Sequence, residues 1–462
     1  MKNPNVLLIT VDCLRADYLP CYGYSRIQTP HIDRLAIEGT RFYQAISHGE
    51  STPMAFPSIM ASLPPPVKFS DFSDFQSLRS HMQRNPTLAE ELRRHGFATA
   101  GIWVISPFFA TSYGITRGFD AQYDLSTRVR KLRNYRTLRF LITRLQQLSI
   151  IRIIWNYWKY SHPWNNAAGI TDMAISWLRQ RDEQPWLLWL HYIDCHLPYT
   201  VHGASRSFRW NLARAVERMR YKPGSITELQ RQYIVRAYEA GICMVDNQIG
   251  KLLEALNELG QLEHTVIALT ADHGESFGEH GGWEHSYGHV YECNLHVPLI
   301  LYGPELPQGH IVNEPVPIQD LPSTLLGIAL PDNHRNPRGW LGRNLLPYLS
   351  NRSEAPEVPI FSVSLVGPFA KPTHRASAAY RLGQWKYIRY WKEGIAAGQK
   401  LREELFNLSS DPEESHNLVE SADKELLIKM RTGLSEALAN AAYDEKKRVA
   451  DRVKVLKNLH KL

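Results

Sequence analysis

Val6-Leu7-Leu8-Ile9-Thr10-Val11 runs straight into Asp12-Cys13-Leu14-Arg15-Ala16-Asp17. The run is apolar, rich in β-formers and without polar alternation, the pattern of a parallel strand buried on both faces. Two more runs share this plan. Trp186-Leu187-Leu188-Trp189-Leu190-His191 leads into Asp194 and His196, and Thr265-Val266-Ile267-Ala268-Leu269-Thr270 leads into Ala271-Asp272-His273-Gly274. Each strand ends where acids and imidazoles begin. In open α/β sheets ligands bind outside the carboxyl ends of the strands, so three such ends direct their polar residues to one place. Residues 29–39, 87–95, 170–178 and 226–259 carry apolar side chains at helical spacing. Strand alternating with helix predicts an α/β fold with a mostly parallel central sheet flanked by helices.

Downstream the pattern changes. Composition turns loop-like around 331–347, and then 358–365, 378–382 and 385–390 read as shorter strands. Helical segments follow at 422–442 and from Tyr443 onward. The chain therefore divides into an α/β catalytic domain, residues 1–335, and a smaller C-terminal α+β domain, 336–462, containing an antiparallel sheet. A basic helical insertion at about 126–162 interrupts the first. It combines Arg128, Arg130, Lys131, Arg133, Arg136, Arg139, Arg144 and Arg152 with Trp155, Tyr157 and Trp158. Such a helix either packs as a lid with a solvated basic face, the preferred reading, or lies on an anionic membrane surface.

At 462 residues, with 44% hydrophobic and 21% charged residues, the composition is that of a globular protein and excludes fibrous or disordered classes. The formal charge of +7 comes without a helix-turn-helix, zinc-finger or aromatic RNA-binding signature, so no nucleic-acid partner is expected. A mild positive field suits a small anionic substrate. The five cysteines are scattered without a Cys-x-x-Cys pair, which argues against a disulfide framework or a cysteine zinc site. The N-terminal apolar run is too short for a signal peptide and no run is long enough to span a bilayer, so the cytoplasm is the expected location.

Asp12, Asp272 and His273 supply two carboxylates and an imidazole. That set suits a divalent cation of intermediate hardness, manganese or zinc, whereas an all-oxygen set favours magnesium or calcium. Such an ion offsets charge on ester oxygens and activates a hydroxyl near neutral pH.

Pro4 to Leu19 resembles the opening of the sulfatase family of the alkaline phosphatase superfamily. Cys21-Tyr22-Gly23-Tyr24, Thr29-Pro30-His31-Ile32-Asp33 and Thr270-Ala271-Asp272-His273-Gly274-Glu275 continue the resemblance. Glu404-Leu405-Phe406-Asn407-Leu408 and Asp411-Pro412-Glu413-Glu414 are similar to its closing motif. The resemblance implies a cation held by Asp12, Asp272 and His273, with the nucleophile as a further ligand. Many relatives carry a second acid after the first; here Cys13 stands there, read as a buried thiol with thiolate ligation as the alternative.

Members of this family carry Cys-x-Pro-Ser-Arg, converted to formylglycine. The motif is missing from this chain, which reads Glu50-Ser51-Thr52-Pro53-Met54-Ala55-Phe56-Pro57-Ser58. Matching on Pro57-Ser58 puts Ala55 at the nucleophile position; matching on Ala61-Ser62 puts Thr52 there. Thr52 is preferred, because Pro53 suits a first helical position and a helix N-terminus attracts anions. Pro57 is an obstacle to either register.

His196 resembles the family histidine that contacts the ester or protonates the leaving group. His280, His285 and His289 crowd the segment where relatives place a substrate-binding Lys or His, with His285 and His289 ranked equally. Together with Asp194 they form the candidate set for a second cation. The expectation is a metal-dependent hydrolase of small anionic sulfate, phosphate or phosphonate esters with Thr52 as nucleophile. The alternatives are an anion-binding protein on a degenerate scaffold and a phosphotransferase at a membrane surface.

Overall fold

The computed structural model describes residues 3–67, 75–104, 107–126, 148–161, 167–181, 183–199, 201, 203–285, 288–331, 335–351, 356–365, 376–391 and 400–459. In chain order the first strands are β1 (Asn5–Val11), β2 (Thr40–Ile46), β3 (Ala98–Trp103), β4 (Ala121–Asp124), β5 (Trp186–Tyr192) and β6 (Thr265–Ala271). A two-stranded ribbon, β7 (Ser276–Phe277) and β8 (Trp283–Glu284), precedes β9 (His296–Tyr302), β10 (His310–Val312) and β11 (Val316–Pro317). A separate sheet holds β12 (Ile360–Ser364), β13 (Ala376–Leu382), β14 (Trp385–Trp391) and β15 (Lys400–Asn407).

The large sheet runs β10-β2-β9-β6-β1-β5-β3-β4, with β11 also on β2. The pairs β1–β5, β1–β6, β3–β5 and β3–β4 are parallel, and β9 alone is antiparallel to both its neighbours, β2 and β6. Every residue of β5 and β6 is buried, which is why their sequences are apolar without alternation. Trp189 packs face to face with Trp103 and Phe119 at ring separations of 5.7 and 5.6 Å, and Phe109 meets it edge-on at 5.0 Å. Helices cover the sheet. The longest of them beside it, Glu228–Glu258, opens with a reciprocal capping box between Thr227 and Gln230.

The second sheet runs β12-β13-β14-β15, all antiparallel, with Met430 and Leu434 of the helix Lys424–Leu459 in its core. That helix is continuous where two segments are expected, since neither glycine nor proline interrupts 442–443. The core of this unit is shared: Met54 and Val67 join one of its apolar clusters, and Ile46, Val290 and Tyr291 join the other. Of the basic insertion, Arg128 to Arg144 lie outside the described residues. The helix Ser149–Ser161 packs on Arg206–Tyr221, where Arg152 pairs with Glu217 at 2.7 Å. Among the described residues no helix is long and apolar enough to cross a membrane.

Candidate active site

Strand register builds the site. Val11 of β1 is opposite Tyr192 of β5 and Ala271 of β6, so the three strands end level. Asp12, Asp272 and the 193–196 turn therefore emerge side by side, and the Asp12 amide donates to the Tyr192 carbonyl at 2.8 Å. All three predicted cation ligands are buried: Asp12 is 3%, Asp272 0% and His273 1% exposed.

Each of these residues offers a ligand atom within 4.8 Å of the others. His273 Nε2 lies 3.7 Å from Asp12 Oδ1 and 3.5 Å from Asp272 Oδ2, buried and without a hydrogen-bond partner. Its Nδ1 is held by the Gly274 carbonyl at 2.9 Å, which fixes the ring and turns Nε2 inward as a ligand atom. Two carboxylates packed this closely also need a cation. Burial and the charge of Asp12 push the Asp272 carboxyl up to about 7. Burial acts the same way on Asp12, yet His196, His191 and His273 hold it well below the usual carboxylate range. The donor set fits a divalent ion.

Thr52 is the first residue of the helix Thr52–Ala61, with Ser51 at the cap position. Its hydroxyl does not cap the helix; Oγ1 donates to Asp272 Oδ2 at 3.0 Å. The loop before it is pinned by Ser47, whose Oγ donates to the Asp272 carbonyl at 2.5 Å. The helix continues through Pro57 and ends at Ser62 in the left-handed region, φ 48°. Pro57 therefore removes a single backbone donor without breaking the helix. The Thr52 side chain thus reaches the acids.

His196 belongs to a second potential ligand group with Asp12 and Cys13, and its Nδ1 pairs with the Leu197 carbonyl at 2.5 Å. His285 joins a third with Cys13 and His273; its ring lies 4.8 Å from that of His273 and 5.1 Å from that of His196. Cys13, at φ 62°, is fully buried, and its Sγ donates to Asp12 Oδ1 at 3.1 Å. Burial and the carboxylates of Glu275, Asp12 and Asp272 push its thiol well up.

Three residues here escaped the sequence analysis. His191, opposite Thr10 in the β1–β5 register, reaches Asp12 Oδ2 with Nε2 at 3.5 Å. Its signal was an imidazole closing an otherwise apolar run. Glu275 is 1% exposed and stands 3.6 Å from His285 Nδ1. Glu50, fully buried two residues before Thr52, has its carboxyl pushed up to about 8 by burial. Nothing in their spacing marks these acids as inward-facing.

The other predicted residues are not brought to this cluster. Gly278 at φ 111° and His280 at φ 50° turn the chain away, and His280 stacks on Tyr291 at 3.6 Å. It lines a cavity of about 1070 Å³ that none of Asp12, Thr52, Asp272 or His273 lines. His289 packs edge-on against Tyr291 at 5.9 Å. Asp194 is buried, and its carbonyl lies under Gly241. Among the described residues, His285 joins a ligand group with Cys13 and His273, and His280, His289 and Asp194 join none.

Residues 4–330 match the family model described as Sulfatase. Arylsulfatase K of Mus musculus is 27% identical over 459 residues, covering 90% of this chain and 76% of that protein. A solved structure in complex with its substrate D-glucosamine-2-N,6-O-disulfate superposes with a TM-score of 0.68 at 19% identity, covering 96% of this chain and 100% of that one. The phosphonate monoester hydrolase of Agrobacterium radiobacter gives 0.68 at 21% identity, covering 95% and 96%. At those identities the two structural likenesses concern the fold. With the family model spanning β1 through the last strand of the large sheet, the chain belongs to the sulfatase family of ester hydrolases.

Proposed function

We propose that this protein is a metal-dependent hydrolase of small anionic esters in which Thr52 is the nucleophile. One observation carries the reading: the Thr52 hydroxyl, at a helix N-terminus, donates to Asp272 at 3.0 Å beside Asp12 and His273. A divalent ion held by Asp12, Asp272 and His273 supplies charge neutralisation at the ester oxygens and acidifies a hydroxyl. Asp272 takes the Thr52 proton as Oγ1 bonds to the central phosphorus or sulfur and the bond to the leaving oxygen breaks. His196 gives that oxygen its proton. Water then gives a proton to His196 and attacks the same central atom, and Thr52 leaves by taking its proton back from Asp272, which restores both groups. His285 contacts the peripheral oxygens of the ester.

The alcohol nucleophile bears on the substrate. A threonine ester lacks the second hydroxyl by which formylglycine hydrate expels sulfate, so its hydrolysis breaks the bond at phosphorus or sulfur. That favours phosphate and phosphonate esters over sulfate esters. Aryl sulfates, phosphate mono- and diesters and phosphonates, assayed with manganese, zinc, calcium and magnesium, test the reading. Thr52→Ala lowers turnover of the best substrate by roughly a thousandfold or more. Full activity in Thr52→Ala sinks the nucleophile assignment.

A further inference from the structure

His285 presents two ring nitrogens, and what stands behind it decides which edge meets a substrate. Glu275, at the start of the turn into β7, is 1% exposed, and among the described residues neither carboxylate oxygen has a hydrogen-bond partner. Its Oε1 stands 3.6 Å from His285 Nδ1; Cys13 Sγ lies 3.7 Å from the same nitrogen but spends its own proton on Asp12 Oδ1 at 3.1 Å. Buried carboxylates without a partner are rare in folded proteins, so this one requires an explanation. Its own backbone is fixed independently: the Glu275 amide donates to the Cys293 carbonyl at 3.1 Å, and the Glu275 carbonyl accepts from Arg15 Nη1 at 2.9 Å. The carboxylate therefore has a rigid base, and the His285 imidazole stands beside it.

We propose that Glu275 is a positioning residue for His285: its carboxylate accepts a hydrogen bond from Nδ1–H of the doubly protonated ring and turns the Nε2–H edge toward the peripheral oxygens of the ester. The inference rests on the reading of His285 as an anion contact and adds the group that makes this contact directional. A neutral ring protonated at Nδ1 alone, or a reversed ring, presents a lone pair or a carbon to the anion. A lysine ammonium has no tautomer to select and needs no such partner. Glu275 and His285 thus act as one unit. The His273 ring at 4.8 Å and the His196 ring at 5.1 Å bound the volume in which the imidazole turns.

The test uses calorimetric binding of inorganic phosphate and sulfate to the cation-loaded protein, alongside KM and kcat. Glu275→Gln weakens phosphate binding and raises KM about tenfold to a hundredfold, the loss of one directed hydrogen bond to a charged group. The value of kcat changes less than KM. Adding His285→Lys to Glu275→Gln restores anion binding, a rescue that a purely structural role of Glu275 does not permit. In the wild type, selective ¹⁵N-histidine spectra show His285 Nδ1 as a hydrogen-bonded N–H. Unchanged anion affinity in Glu275→Gln, no recovery in the double variant, or an unprotonated Nδ1 in the wild type each overturns the proposal. Binding does not require turnover, and Thr52→Ala retains the Glu275 effect, so failure of the nucleophile assignment reads out separately.

Discussion

A single residue separates the helix cap from the proposed nucleophile in this chain. Ser51 occupies the cap position and Thr52 the first helical one, and this one-residue offset sends Oγ1 to Asp272 instead of to a backbone amide. His196, the proposed acid, is held by a comparable local device, its Nδ1 paired with the Leu197 carbonyl. His196→Asn is expected to lower kcat/KM by about 10²- to 10⁴-fold for alkyl esters, whose leaving oxygen needs a proton. For nitrophenyl esters, which leave as stable anions, the loss is much smaller. An equal loss across a leaving-group series removes the acid role.

At the scale of elements, the helix Glu228–Glu258 closes on the end of β5 through Gly241. A Cβ there falls 2.3 Å from the Asp194 carbonyl oxygen and 3.5 Å from the Cys195 Cα. Gly241→Ala therefore pushes the helix off the turn that carries His196. The expected cost is about 1–3 kcal/mol, the range for overpacking a close contact, read as a lower midpoint in urea. Turnover falls with it, and cation content does not, because Asp12, Asp272 and His273 stand on other elements. Wild-type stability in this variant contradicts the packing shown here.

Across the whole molecule, the small sheet is fastened to the catalytic unit through buried charge. Lys386 of β14 is 1% exposed and pairs with Glu292 at 2.8 Å and Glu414 at 2.7 Å, while Arg381 of β13 meets Glu292 at 3.0 Å. Lys386→Met leaves buried carboxylates short of a partner, and the expected loss is about 3–5 kcal/mol in equilibrium unfolding. A loss below about 1 kcal/mol assigns the fastening to the apolar clusters instead. His48 ties the same two units, its Nδ1 on the Phe361 carbonyl of β12 at 2.5 Å, and burial lowers its pKa to about 4 from 6.5. A depressed histidine binds fewer protons folded than unfolded, so stability falls as pH drops from 6.5 toward 4. His48→Asn keeps a donor without titrating, and its melting temperature declines less steeply than the wild type's over that window.

Local sequence carried the parallel strands and their polar ends. An apolar run buried on both faces has a composition of its own, and a strand's polar end sits next to it in the chain. Asp12, Asp272 and His273 were legible for that reason and through the family resemblance, and Thr52 through its spacing to Ala61-Ser62 and the Pro53 beside it. Which imidazoles and acids converge was a different matter. His285, His289 and His280 lie within ten residues and look equivalent in one dimension, yet a left-handed bend at Gly278 and His280 sends them to different surroundings. Glu50, Glu275 and His191 lie beside residues the sequence did mark, but whether a side chain points inward is set by register, backbone hand and packing from segments far away in the chain. Those are properties of contacts, and contacts exist only once the chain has folded.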